Sequence, residues 1–229
     1  YNVQAAVDIE HHLIVAHDVT NVGSDRSQLA RIAKQTKATL ETDSLDAVAD
    51  RGYFSSEEIL ACEEAGITVT LPKPQTSGNK ARGRFVKADF RYLAEDDVYL
   101  CPAGERMTYR FTTEEAGRTL HRYWTNACQQ CAIRDRCKTS KERRIPRWEH
   151  EEVLEAVQRR LDENPQAMRQ RRETVEHPFG TIKMRMGATH FLMKRLKNVR
   201  TETALSVLAY NLTRVLNILG VAPLIQIGR

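Results

Sequence analysis

From Leu45 to Pro72 the chain repeats one short pattern: an apolar run, "LDAVAD", a glycine turn at Gly52, a helical stretch that stops at Gly66, and a second apolar run, "ITVTLP". Ser55 and Glu58 have the spacing of a capping box for the intervening helix. Upstream, "NVQAAVD" and "HLIVAHDV" read as two strands joined by the polar turn at residues 9–11, a hairpin. Ser24 and Asp25 then supply N-cap chemistry, with Gln28 at the reciprocal position, for a helix running to about Leu40. Strands alternating with helices in this way can bury their apolar faces only as stacked layers, so the fold class read here is α/β.

The regularity stops at residue 72. "PKPQTSGNKARGRF" is rich in Pro, Gly and Lys and reads as a loop, followed by short strand-like pieces and most of the cysteines. Helical patterning returns at about Trp148: "EEVLEAVQRRLDE" is amphipathic, Asn164-Pro165 breaks it, and a new helix is expected from Pro165. The expected organisation is therefore a first core segment over 1–72, an insertion over 73–147, a helical second core segment over 148–220, and a tail over 221–229. In "TETALSVLAYNLTRVLNILG", Glu202, Asn211, Arg214 and Asn217 interrupt the apolar run, which points to a core or interface helix rather than a membrane span. No apolar run reaches spanning length and "YNVQAAVD" lacks the plan of a secretory signal, so the sequence reads as that of a soluble, cytoplasmic protein without membrane contact. The chain opens without Met, already in strand-like sequence, and upstream residues are expected.

The net charge of +5 is concentrated in one stretch. Residues 164–200 hold nine Lys or Arg against Glu173 and Glu176, a local +7 that leaves the remainder at −2. Such a cluster is either a phosphate-binding surface or a solvated helix face. Within it, Arg172 lies four residues before Glu176, Arg169 seven before and Lys183 seven after. At ~100° per residue these side chains share one narrow helical stripe. Arg172 and Glu176 have the spacing of an ordinary i, i+4 ion pair. A carboxylate that holds a divalent metal beside a polyanion also needs neighbouring cations, and this stripe supplies them. Pro178 would remove a backbone bond and bend the helix at the glutamate, while His177, at i+1, points away from the stripe.

Asp50 closes an apolar strand, at the kind of strand end where α/β sheets form ligand sites, although Asp before a glycine turn is also ordinary turn chemistry. Cys101, Cys128, Cys131 and Cys137 fall in the 73–147 segment, with a CxxC knuckle at 128–131. They are candidate ligands for one structural Zn²⁺, with buried free thiols the alternative. Cys62 reads as core. Trp124 and Trp148 could stack on bases, although packing is their commoner use.

"DRGY" followed by Arg172-x3-Glu176-x6-Lys183 resembles the DDE transposases of bacterial insertion sequences, and the ending "ALSVLAYNLTRVLNILG" is similar to theirs too. Three of the four positions of that family's Tyr-x2-Arg-x3-Glu-x6-Lys signature match, with Arg169 where Tyr is expected. The resemblance implies a ribonuclease H-like mixed sheet flanked by helices, with the cysteine-containing insertion between the last core strand and the glutamate-bearing helix. It also implies metal-dependent strand cleavage and strand transfer at transposon ends. Asp50 would be the second acidic ligand and Glu176 the third, for two Mg²⁺ or Mn²⁺ ions. The first ligand is expected on a strand upstream of Tyr1, with Asp8 and Asp18 the candidates inside the chain. Arg169, Arg172, Lys183 and Arg185 would contact double-stranded DNA, and a homodimer on paired ends is the common arrangement. A DNA-binding remnant without activity and a structure-specific nuclease are the competing readings on the same fold.

Overall fold

The computed structural model describes residues 1–75, 77–137 and 140–227, so Thr76 in the loop after Pro72 and the last two residues of the tail lie outside the described residues. The chain divides into two compact units, one formed by Tyr1–Pro74 with Val153–Arg229 and the other by Gln75–Glu152.

In the first unit, β1 (Asn2–Val7) and β2 (Ile14–Thr20) pair as an antiparallel hairpin with a register shift between Ala6 and Val7. His12 occupies the left-handed region in the connecting turn. Helix α1 (Leu29–Thr39) buries Leu29, Ile32 and Ala33, and a parallel pair follows, β3 (Leu45–Val48) with β4 (Ile67–Thr70), linked by α2 (Ser56–Glu63). Parallel strands require such a crossover, and here it places Ile59 and Cys62 against the buried Ile67 and Val69. The architecture is mixed α/β.

The expected capping box of α2 does not form. Ser55 Oγ turns to Glu57 Oε2 at 2.8 Å, and Glu58 Oε2 accepts the Ala30 N–H at 2.8 Å, satisfying an otherwise unpaired amide in the first turn of α1. Glu58 therefore staples two helices rather than capping its own.

The second half of this unit is helical: α4 (Glu151–Glu163), which begins in the other unit, then α5 (Ala167–Gly180), α6 (Leu196–Leu219) and α7 (Val221–Ile227). Arg160 of α4 donates twice to the Val69 carbonyl, at 3.0 and 2.9 Å. The polar residues that interrupt the apolar pattern of α6 also have structural partners. Asn211 donates to the Ile14 carbonyl at 2.8 Å and accepts the Ile14 N–H at 2.9 Å; Arg200 donates to the Val19 carbonyl, and Arg214 to that of His11. Among the described residues, no helix is long and apolar enough to cross a membrane.

Helix α5 runs unbroken through Pro178. The irregularity comes after it, as a π-helical turn over Thr181–Arg185, in which the Met186 N–H reaches back to the Thr181 carbonyl. Pro178 has no N–H to give the Thr174 carbonyl, and widening of the ladder is displaced into the next turn.

The second unit is an antiparallel meander of β5 (Arg91–Leu93), β6 (Val98–Leu100), β7 (Arg106–Glu115), β8 (Arg118–Trp124) and β9 (Ile145–Trp148), with the short α3 (Arg134–Cys137) before the last strand. Its core is small: a cluster of Phe90, Tyr99, Met107, Tyr123 and Ile145, with Val98 and Trp148 also buried. Asp97 Oδ1 accepts from both Tyr92 and Tyr123, and the Arg147 guanidinium stacks 3.7 Å from the Tyr92 ring centroid.

Candidate active site

Asp50 lies two residues beyond β3, as the N-cap of a 3-10 turn over Arg51–Tyr53, and its Oδ1 accepts the Gly52 N–H at 2.8 Å. The turn is tight enough that a Cβ on Gly52 would meet Asp50 Oδ1 at 2.9 Å and Asp25 Oδ2 at 3.5 Å. Any added Cβ would have to displace the Asp50 carboxylate, and two carboxylates border the same backbone atom. Asp25 is held in turn by Asn2 Nδ2 at 2.7 Å and by Gln4 Nε2 at 2.8 Å, both from β1. The Tyr53 hydroxyl donates to Gln4 Oε1, which is buried. Burial, reinforced by the charges of Asp25 and Asp50 and opposed by Arg171, pushes the Tyr53 phenol up to about 12, so it stays protonated and acts as a donor.

Arg171 of α5 reaches Asp50 Oδ2 at 2.9 Å. It lies on the face that buries Ala167, Thr174 and Pro178, offsets of four, three and seven that repeat the helical period. Glu176 sits roughly 170° round the helix from the middle of that face, on the opposite side from Arg171's neighbours. It is exposed and makes no hydrogen bond or ion pair among the described residues, and the same holds for Arg172 and Lys183. Arg169 pairs with Glu173 at 2.9 Å. Lys183 and the exposed Arg185 lie within the π-helical turn, so Lys183 departs from the regular stripe. Arg172 and Glu176 do not form the i, i+4 pair that their spacing allows. No hydrogen bond or ion pair joins Asp50 to Glu176; the bond from Asp50 to α5 goes to Arg171.

The residue after Glu176 fixes the helix. His177 Nδ1 shares a 2.8 Å hydrogen bond with the Tyr210 hydroxyl, which donates to the His12 carbonyl at 2.7 Å, and the His12 and His177 rings stack 4.9 Å apart. Burial lowers the His177 pKa, helped by His12, Arg214 and Arg185. Asp8 is engaged in the hairpin turn through the His11 N–H, and Asp18 pairs with Arg31 and Arg200.

Among the described residues, no group of three or more His, Cys, Asp or Glu side chains is arranged to hold a metal ion. In the other unit, the four cysteines line one cavity. Trp124 lies between Arg110 and Arg144 and edge-on to Phe111, and Trp148 meets Arg118 and His150; both pack within their own unit.

A family model described as a transposase DDE domain matches residues 100–216 of the 229, an interval that carries Glu176, its flanking cations and all four of these cysteines. The chain belongs to the DDE-type transposases. Neither the curated proteins nor the solved structures yield a match. The sequence reading of this transposase passed over Asp25, Gln4, Tyr53 and Arg171. Asp25 looked like helix-cap chemistry, which it resembles locally. Arg171 could have been found, because its offsets from Ala167, Thr174 and Pro178 put it on the apolar face of α5, where an arginine needs a partner.

Proposed function

We propose that this transposase cleaves DNA strands at transposon ends and joins them to target DNA, using Asp50 and Glu176 as metal ligands. The observation that carries the reading is the arrangement on α5: Arg171 grips Asp50, while Glu176, five residues on, stands exposed and unpaired one turn after Arg172. An exposed acid among cations, unneutralised by any of them, is a side chain kept available for another positive charge. The donor chemistry fits a hard cation. Asp50 spends one lone pair on Gly52 and one on Arg171, leaving others free, and carboxylate oxygens suit Mg²⁺ or Mn²⁺. Asp25, beside Asp50, is a further oxygen donor.

Bound at these carboxylates, two such ions would supply Lewis-acid stabilisation of the attacking and leaving oxygens in an in-line displacement at phosphorus. The protein's own residues do the rest. Arg172, Lys183, Arg169 and Arg185 take phosphates of double-stranded DNA and set the register of the duplex without reading bases. Arg171 and the Gly52 amide orient the Asp50 carboxylate. Tyr53 and Gln4 hold Asp25 toward it.

The fold reading is ribonuclease H-like, with residues 1–72 and 148–220 as core, 73–147 as a cysteine-bearing insertion and 221–229 as a tail. The free edges of β1 and β3 among the described residues support it: a further strand between them, carrying the first acid, would join the two pairs into one mixed sheet. A homodimer acting in the bacterial cytoplasm, within a mobile insertion sequence, belongs to the same reading.

The test is cleavage and joining of a duplex bearing the element's own ends by the complete reading frame in Mg²⁺. Asp50→Ala and Glu176→Ala should each abolish both reactions while leaving DNA binding. Full cleavage by either variant removes that acid from the site, and cleavage without joining would make the protein a nuclease.

A further inference from the structure

We propose that Cys101, Cys128, Cys131 and Cys137 hold one structural Zn²⁺ in the 75–152 unit. The four residues come from separate segments: Cys101 follows β6, Cys128 sits in the 3-10 turn over Asn126–Gln129 after β8, Cys131 follows that turn, and Cys137 ends α3. All four nevertheless line one cavity of about 20 Å³, room for a single small sphere. No carboxylate or imidazole joins them there; Phe90, Met107 and Ile133 supply apolar lining, and Arg134 and Arg143 border the same cavity. An all-sulfur donor set of four suits a soft or borderline tetrahedral ion and suits Mg²⁺ poorly.

The backbone presents the thiols as a metal knuckle does. Cys101 opens a tight turn in which the Gly104 N–H bonds the Cys101 carbonyl at 2.8 Å, the Cys101 N–H bonds Glu105 at 2.9 Å, and Gly104 takes the positive φ. Cys131 opens the next turn, with the Arg134 N–H on its carbonyl at 3.2 Å. The thiols are free, none forming a disulfide. Cys137 shares that cavity with Cys101, Cys128 and Cys131, and the Arg143 side chain borders it.

The unit also has reason to need the ion. Its main buried cluster is Phe90, Tyr99, Met107, Tyr123 and Ile145, with Val98 and Trp148 buried besides, and Cys101 and Cys137 pack at the margin of that cluster. A domain with so small a core gains folding free energy from bound metal. The sulfurs are not at ligand positions as they stand, so binding must draw them inward and contract the cavity.

The test uses the full chain, purified without chelator, and measures metal content, thiol accessibility and the spectrum after exchange into Co²⁺. About one zinc per chain, four thiols shielded from alkylation until a mercurial releases the metal, and the absorption of tetrahedral thiolate-bound cobalt are expected. Cys128→Ser with Cys131→Ser should lower the zinc to near none, and Cys62→Ser, buried in the other unit, should leave it unchanged. Should the paired variant fail to fold, the cobalt spectrum of the unaltered chain still decides. Absence of zinc together with absence of the cobalt band overturns the proposal, as do iron in place of zinc or zinc retained by the folded paired variant. None of these readouts needs DNA, so the proposal stands or falls apart from the phosphoryl-transfer reading.

Discussion

A methyl group on Gly52 would contact Asp50 Oδ1 at 2.9 Å and Asp25 Oδ2 at 3.5 Å. Gly52→Ala must therefore push the Asp50 carboxylate off the Gly52 amide, a change of roughly 1–2 kcal/mol in stability. Under the proposed function, its larger effect is on metal-dependent cleavage, which should fall by about tenfold or more; thermal melting and a cleavage time course on the same preparation separate the two. His177 gives a pH prediction of definite sign. Its pKa is lower folded than unfolded, so the unfolded chain binds the extra proton between the two values. The stability His177 contributes is therefore present above the ordinary value near 6.5 and is lost as pH falls through the lower folded value. Melting temperature should drop on acidification below about 6.5, and His177→Gln, which can still bond Tyr210, should flatten that part of the profile. Because His177 is exposed, the effect is about a degree or two.

At the scale of elements, the Asn211 side chain bonds both the N–H and the carbonyl of Ile14. Asn211→Ala leaves two backbone groups of β2 without those partners and should cost about 1–3 kcal/mol in urea unfolding, whereas the exposed neighbour Leu212 changed to Ala should cost far less. The opening hairpin and the alternation of strands and helices were legible because period and turn chemistry are local signals. What was not legible depended on partners distant in sequence. Glu58 has the spacing of a cap for its own helix and instead bonds Ala30, 28 residues away. Asn211 and Arg214 looked like interruptions, because nothing nearby in sequence announces the strand and turn they bind. Pro178 marked a perturbation of α5 correctly but not its place, since the ladder adjusts one turn later. For the candidate site, Asp50 and Glu176 could be singled out from spacing and resemblance, whereas Asp25 and Arg171 emerge only once β1, the Gly52 turn and α5 are brought together.

For the molecule as a whole, the basic excess belongs to residues 164–200, and the proposed DNA contacts make a prediction in salt. Arg172→Ala and Lys183→Ala, neither of which breaks an ion pair, should each weaken duplex binding uniformly across sequences and reduce the slope of log K against log salt by about one. An unchanged slope would return that face to solvent. The hairpin carries a consequence for how the protein can assemble. Asn211 occupies both polar groups of Ile14, and Arg200 occupies the carbonyl of Val19, so α6 works as a selvedge along β2. A foreign strand laid on that side would find both polar groups of Ile14 and the carbonyl of Val19 already taken. The β1 border has no such contacts from α6 among the described residues, which gives the hairpin a favoured direction of growth and makes its far border less receptive to other chains.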